Sequence, residues 1–272
     1  MQAPLPASWT PTLLAIAEQA GDAILEIYRN AALHDPRLAD KADHSPLTLA
    51  DLSAHQVIAT ALASLSPDIP LVSEENCASH ALRSASGDFW LIDPLDGTKE
   101  FLARNGEFTV NIAYIRDGRP LLGVVYAPVG AEMFWGGRGC GAFLRTPHAS
   151  RTLHVAPPTP GGVLRVVASK SHLNQATADF IQRLGNSQLI QAGSSLKFCR
   201  IAQGAADIYP RLAPTCEWDT AAAQAVLEGA GGYVTTLDGQ SLNYGKPDIL
   251  NPHFVASATR LEPLRLDQAP LI

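Results

Sequence analysis

No stretch of this 272-residue chain reaches the roughly 18 consecutive apolar residues that a membrane-spanning helix needs. Its opening residues, Met1-Gln-Ala-Pro-Leu-Pro, lack the basic and apolar regions of a secretory signal. Cysteine is scarce. Cys77, Cys140, Cys199 and Cys216 show neither CxxC nor Cys/His ligand spacing, which argues against a zinc site and a disulfide framework and suits a reducing compartment. The expectation is a cytoplasmic protein without a transmembrane segment, with peripheral attachment to the inner face of the membrane left open. Positive charge is also short, 20 Lys and Arg against 26 Asp and Glu for a formal net charge of −6. That argues against a nucleic-acid polymer as partner, which needs a basic face. It leaves room for a small anionic substrate, because bound cations reverse the field locally. Internal repeats and low-complexity segments are missing as well.

What is there is a composition, 46% hydrophobic and 17% charged, able to bury a large core as one domain or two closely joined ones. Thr10-Pro11 reads as an N-cap and first helical residue, and Leu13, Ile16, Ala17, Ala20, Ile24, Ile27 and Tyr28 follow at helical spacing. Leu47-Thr-Leu-Ala-Asp51 leads into a second helix, with Val57, Ile58, Ala61, Leu62 and Leu65 on one face and Pro67 at its end. Strand-like runs at 71–72, 89–92, 108–115, 121–127, 132–135 and 141–144 are separated by Gly and Pro turns, and those from 108 onward predict an antiparallel meander. Prolines at 147, 157, 158 and 160, with Gly161 and Gly162, mark a junction. The expected division is an N-terminal α+β half, 1–155, and a C-terminal α/β half, 156–272, joined in one compact unit. In the second half, strands at 163–168, 188–191, 207–211 and 254–257 alternate with helices at 175–184, 196–203 and 219–229, an order of βαβ units.

The chemistry concentrates in Asp93-Pro-Leu-Asp96-Gly97-Thr98-Lys-Glu-Phe101. An apolar strand ends in two carboxylates, Pro94 restricts the backbone between them, and Gly97 permits an unusual φ so that Asp96 turns back toward Asp93. Oxygen-only ligands at this density suit Mg²⁺ completed by substrate phosphate; a bare DxxDG equally fits an acidic turn capping a helix at Thr98. Two further segments offer acids. Glu74 and Glu75 follow the apolar run 69–72, and Trp218-Asp219 opens an alanine-rich helix.

A Glu-Glu strand end, a DPxDGT turn and a distant Trp-Asp together resemble the lithium-sensitive, magnesium-dependent phosphatases of the inositol monophosphatase superfamily, over nearly the whole chain to about Phe254. Lys99-Glu100 after the DGT, followed by Arg104-Asn-Gly-Glu-Phe-Thr-Val-Asn-Ile-Ala, is similar to the CysQ type within it, the bacterial 3′(2′),5′-bisphosphate nucleotidases. The resemblance implies a layered αβαβα sandwich. It implies one Mg²⁺ on Glu74, Asp93 and the Leu95 carbonyl, a second on Asp93, Asp96 and Asp219, and a third, loosely held, near Glu74. A metal-activated water is the implied nucleophile, oriented by a Thr98–Asp51 dyad beside Glu74, with phosphate lying against Leu95, Asp96, Gly97, Thr98 and Asp219. Lys197 and Arg211, with Ser194 or Ser195, are implied to bind a 5′-phosphate, with His172 beside the nucleotide; Lys41 is a weaker candidate. The activity that follows is conversion of adenosine 3′,5′-bisphosphate to AMP, with action on 3′-phosphoadenylyl sulfate as well, and so a part in sulfate assimilation. The alternatives are an inositol monophosphatase or fructose-1,6-bisphosphatase with the same metal ligands, and a nucleotide-sensing module without turnover.

Overall fold

In a computed structural model, residues 5–30, 46–169 and 174–262 are described; Lys41 and His172 lie outside them. The first helix, α1 (Trp9–Arg29), begins two residues earlier than Thr10-Pro11 suggests, because Trp9 is drawn into the core. Its ring lies 5.1 Å from that of Trp90 and 5.0 Å from that of Tyr114, centroid to centroid. Pro11 then falls within the first turn, where its missing N–H costs nothing. The second helix, α2 (Pro46–Leu65), packs along α1 and contains Asp51 rather than following it.

A seven-stranded sheet runs in chain order, β1 (Leu71–Ser73), β2 (Asp88–Asp96), β3 (Thr109–Arg116), β4 (Arg119–Ala127), β5 (Glu132–Gly137), β6 (Gly141–Arg145) and β7 (Ser150–Leu153). All neighbours are antiparallel except β1, which pairs parallel with β2. A 3-10 helix, Cys77–Leu82, lies in the β1–β2 connection, and a five-residue helix α3 (Thr98–Leu102) follows β2. The second sheet has the order β11 (Tyr233–Thr236), β12 (Phe254–Ser257), β10 (Ile208–Arg211), β8 (Leu164–Ser169), β9 (Ser187–Ala192). The helices of this half are α4 (Gln175–Arg183), α5 (Leu196–Ala202) and α6 (Ala221–Gly229). Strands β10, β8 and β9 are parallel, as the βαβ order requires, and β12 and β11 add antiparallel edges.

Period-2 alternation sorts the side chains into three cores that define five layers. Trp90, Ile92, Val110, Ile112 and Tyr114 meet α1 and α2 on one face of the first sheet. Phe89, Leu91, Ala113 and Ile115 face the other way, onto α5, α6 and the inner side of the second sheet. Val166, Ile208 and Val255 meet Phe180 and Ile181 of α4 on the outside. The order is αβαβα.

The middle layer sits unusually close to the first sheet. A Cβ on Gly123 of β4 would stand 2.1 Å from the carbonyl oxygen of Ala222 in α6. This approach seats α6 on the middle strands of the first sheet, and the segment before it brings the Asp219 carboxylate up to Asp93 near the end of β2. Gly123→Ala forces two backbones apart, and we expect a loss of about 1–3 kcal/mol in urea unfolding; an unchanged midpoint would contradict so close a contact.

Candidate active site

Strand β2 does not stop at Ile92. It continues through Asp93 to Asp96 by way of a bulge: Asp93 pairs with Asn111 and Asp96 with Thr109, so Pro94 and Leu95 together oppose Val110. In a regular strand, positions three apart face opposite ways; the extra residue returns Asp96 to the face of Asp93. Leu95 records the shift, for its odd number would put it with Phe89 and Leu91, yet it packs with the α1 and α2 core. Its side chain is thereby turned away, and what it offers the cavity is backbone. Asp93 closes a local turn, its Oδ1 accepting the Leu95 N–H at 3.1 Å. Gly97 follows in the left-handed region (φ 102°), where a Cβ would meet Ser194 Oγ at 2.1 Å. Thr98 opens α3, exposed at the cavity rim.

Each acid on this face is held by neighbours. Glu74 follows Ser73, a fully buried residue gripped from both sides: His55 Nδ1 lies 2.8 Å from its Oγ and His80 Nε2 2.9 Å from its carbonyl. The Cys216 N–H donates to Asp219 Oδ2 at 2.8 Å. Two residues before Asp219, Glu217 is wholly buried; it pairs with Lys246 Nζ at 2.5 Å and Arg83 Nη1 at 3.4 Å and accepts the Gly245 and Lys246 N–H groups. Asn251 adds a bond from Nδ2 to the Cys216 carbonyl at 2.7 Å. Ligand oxygens of Glu74, Asp93 and Asp219 lie within 4.8 Å of one another. The helix expected from Asp219 begins at Ala221, which leaves Asp219 free of the helical ladder.

Burial and mutual repulsion push these groups up. Glu74 keeps part of its side chain in solvent, yet partial desolvation, then Glu75 and Asp96, raise it to about 7. Burial and Asp96 raise Asp219 to about 7, and Asp93 stands well above the ordinary carboxylate range for the same reasons. Asp51, buried on α2, reaches about 8 through burial and the charges of Glu75 and Glu74. Among the described residues no hydrogen bond joins Asp51 to Thr98: Thr98 lines the cavity, whereas Asp51 lies outside its lining, near enough to Glu74, Glu75 and Asp93 to interact with their charges. Crowded oxygen donors of one sign fit a divalent cation, which would relieve both the repulsion and the desolvation.

The cavity, of about 350 Å³, has a second, cationic wall. Lys197 on α5 is 7% exposed, its Nζ 5.6 Å from the centre of the Tyr209 ring. Burial lowers it to about 8, against the opposing pull of Asp96. Arg211 ends β10, its Nη2 donating to the Pro214 carbonyl at 3.0 Å while its buried Nε has no partner. Ser194 and Ser195 are occupied elsewhere: Ser194 Oγ donates to the Asp96 carbonyl at 2.8 Å, and the Ser195 N–H to Asp96 Oδ2 at 2.7 Å. Sequence reasoning passed over Asn111, Thr109, Glu217, Arg83 and Asn251. Three of them carried a signal: Glu217 as an acid beside the Trp-Asp pair, and Thr109 and Asn111 as members of the run that follows Arg104.

The model of the Inositol monophosphatase family matches residues 6–269. A Salmonella typhimurium protein named 3′(2′),5′-bisphosphate nucleotidase CysQ is 45% identical over 240 residues, 88% of this chain and 95% of that protein. Its namesake in Escherichia coli K12 is 44% identical over 243 residues, 89% and 96% of the two chains. The crystal structure of CysQ from Bacteroides thetaiotaomicron, described as a bacterial member of the inositol monophosphatase family, matches with a TM-score of 0.81 at 39% identity, covering 92% of this chain and 98% of that one. An inositol monophosphatase from Zymomonas mobilis, at 23% identity and a TM-score of 0.75 over 93% and 94% of the two chains, shares the fold.

The raised carboxylates fix the sign of a pH effect. The folded chain without metal binds more protons than the unfolded one between about pH 4 and pH 8, so its stability falls as pH rises through that window. In chelator, the melting temperature is expected to drop from about pH 5 to pH 8, and a divalent cation to restore more at the upper end. A melting temperature that climbs over this range would contradict the clustering.

Proposed function

The chain belongs to the inositol monophosphatase family, and from that premise we propose that it is a Mg²⁺-dependent phosphomonoesterase converting adenosine 3′,5′-bisphosphate to AMP and phosphate. The 3′-phosphate of 3′-phosphoadenylyl sulfate is a second target. One observation carries the reading: a single cavity has an acidic wall fit for metal ions and, opposite, a buried Lys197 with Arg211, a pocket for a second anion. The curated relatives bearing the nucleotidase name support it.

Glu74, Asp93 and the Leu95 backbone hold the first Mg²⁺, and Asp93, Asp96 and Asp219 the second; a third near Glu74, and inhibition by lithium, belong to the same reading. When bound, the ions act as Lewis acids on the phosphate and lower the pKa of water. The residues supply the rest. Thr98, at the rim, accepts a hydrogen bond from the attacking water and points its hydroxyl hydrogen at Asp51, whose ionised form bound cations would restore against the burial and the neighbouring acids that raise it. Backbone at Gly97 and Thr98 lies against the transferred phosphate. Lys197 and Arg211 take the 5′-phosphate, which would raise Lys197 back toward the ordinary lysine range, and His172 lies beside the nucleoside. The work divides along the chain, with most metal ligands in residues 1–155 and the anion pocket in 156–272. The place of action is the cytoplasm.

Asp219→Asn or Asp96→Asn, or excess chelator, should abolish phosphate release while leaving the far-UV circular dichroism intact, since catalysis here is electrostatic positioning. Full activity in either variant would remove the two-metal assignment.

The substrate class rests on the second wall. Lys197→Ala and Arg211→Ala should each raise KM for adenosine 3′,5′-bisphosphate by about tenfold or more, as about 1.5–3 kcal/mol of charge-assisted hydrogen bonding is lost. Hydrolysis of 3′-AMP, which lacks the 5′-phosphate, should hardly change. Faster release from inositol 1-phosphate than from the bisphosphate in a panel of substrates would overturn the nucleotidase reading.

A further inference from the structure

Asp96 is held differently from the other acids. Four donors reach the same oxygen, Oδ2: the Ser195 N–H at 2.7 Å, Ser195 Oγ at 2.8 Å, Asn111 Nδ2 at 3.2 Å and Thr109 Oγ1 at 3.4 Å. Oδ1 takes none of them. Ser195 and Asn111 are each 1% exposed, and Asn111 Nδ2 also donates to Ser195 Oγ at 2.8 Å. The same Ser195 hydroxyl lies 3.0 Å from the carbonyl oxygen of Asp219. One buried side chain therefore touches both residues assigned to the second metal, one from the end of β2 and one from the segment before α6.

We infer that Ser195, backed by Asn111, is a positioning residue that makes the second metal position select Mg²⁺ over Ca²⁺. The inference rests on the proposed ligation by Asp96 and Asp219. Mg²⁺ demands near-ideal octahedral geometry at about 2.0–2.1 Å, whereas Ca²⁺ accepts six to eight oxygens at about 2.3–2.6 Å in flexible arrangements and takes carboxylates through both oxygens. A carboxylate whose Oδ2 is saturated by donors offers only Oδ1, at a fixed place. It suits the small ion and denies the large one a bidentate ligand. Removing the hydroxyl loosens the carboxylate plane and its distance from Asp219, a change that costs Mg²⁺ and spares Ca²⁺.

The test is calorimetric titration of the full chain with MgCl₂ and with CaCl₂, for wild type and Ser195→Ala, beside thermal melting. Ser195→Ala keeps the backbone N–H bond to Asp96 and removes only the hydroxyl. Its Mg²⁺ affinity should fall by about tenfold, as for other partners of metal ligands, while its Ca²⁺ affinity changes by less than about twofold. Asn111→Ala should move the ratio in the same direction and carries the test if Ser195→Ala does not fold. Equal losses for both ions, which a general structural defect would cause, overturn the inference, as does an unchanged Mg²⁺ affinity. Failure of the underlying ligation looks different: Asp219→Asn would then bind Mg²⁺ as tightly as wild type.

Discussion

The repulsion among carboxylates at the end of β2 is the constraint around which the rest of the molecule is arranged. Glu74 raises the pKa of Asp51, Asp93 and Asp219, Asp51 and Asp219 raise that of Asp93, and Asp96 adds to the field on Glu74, Asp93 and Asp219. Left to themselves such groups would move apart or take up protons. They stay because each is fixed by its own segment: Asp93 by its turn, Asp96 by Ser195 and Asn111, Asp219 by the Cys216 N–H, Glu74 by the grip on Ser73. Tertiary packing thus holds together an arrangement that electrostatics alone would disperse, which is a common condition of functional sites.

The two halves of the chain meet at this point with different duties. The first sheet brings Glu74, Asp93 and Asp96 on adjacent strands; the second half returns with Ser195 and Lys197 at the start of α5 and with Asp219 before α6. Glu217 shows how firmly that return is fastened. Its charge is buried outright, and only the ion pairs to Lys246 and Arg83 and two backbone N–H groups make this tolerable. Losing one partner would leave an uncompensated charge beneath the Trp218-Asp219 segment.

The acids were legible in the sequence because their types and their company, Glu74-Glu75, DPLDGT and Trp218-Asp219, point to one chemistry. The family resemblance then gave the five layers, and strand periodicity located most elements. The missed strands are informative. Strand β7 is short and exposes three of its four residues, and β11 exposes three of its four at least in part, so neither carries an apolar run. The β2 bulge was invisible because it is a fact about pairing with β3, and register is not written in one strand. The bond from Ser195 to Asp96 was hidden for a related reason: the resemblance implied an anion contact there, and only the tertiary structure brings its hydroxyl to the carboxylate. Asn111 stood in the run that carries the resemblance but received no role, because one polar residue in an apolar strand does not say which acid it will meet.

The bulge also bears on how this protein can change over time. Two residues, Pro94 and Leu95, separate Asp93 from Asp96 where the partner strand has one. Substitution at either alters a side chain that faces away from the acids. Loss of one of them would keep every carboxylate in the sequence and, by restoring simple alternation, would leave Asp96 on the face of Asp93, yet it would erase the bulge through which the Leu95 backbone reaches the cavity. In this segment a length change, ordinarily tolerated in loops, would spare the charged groups and take away the bulged backbone, so the residue count guards a stretch of main chain rather than an acid.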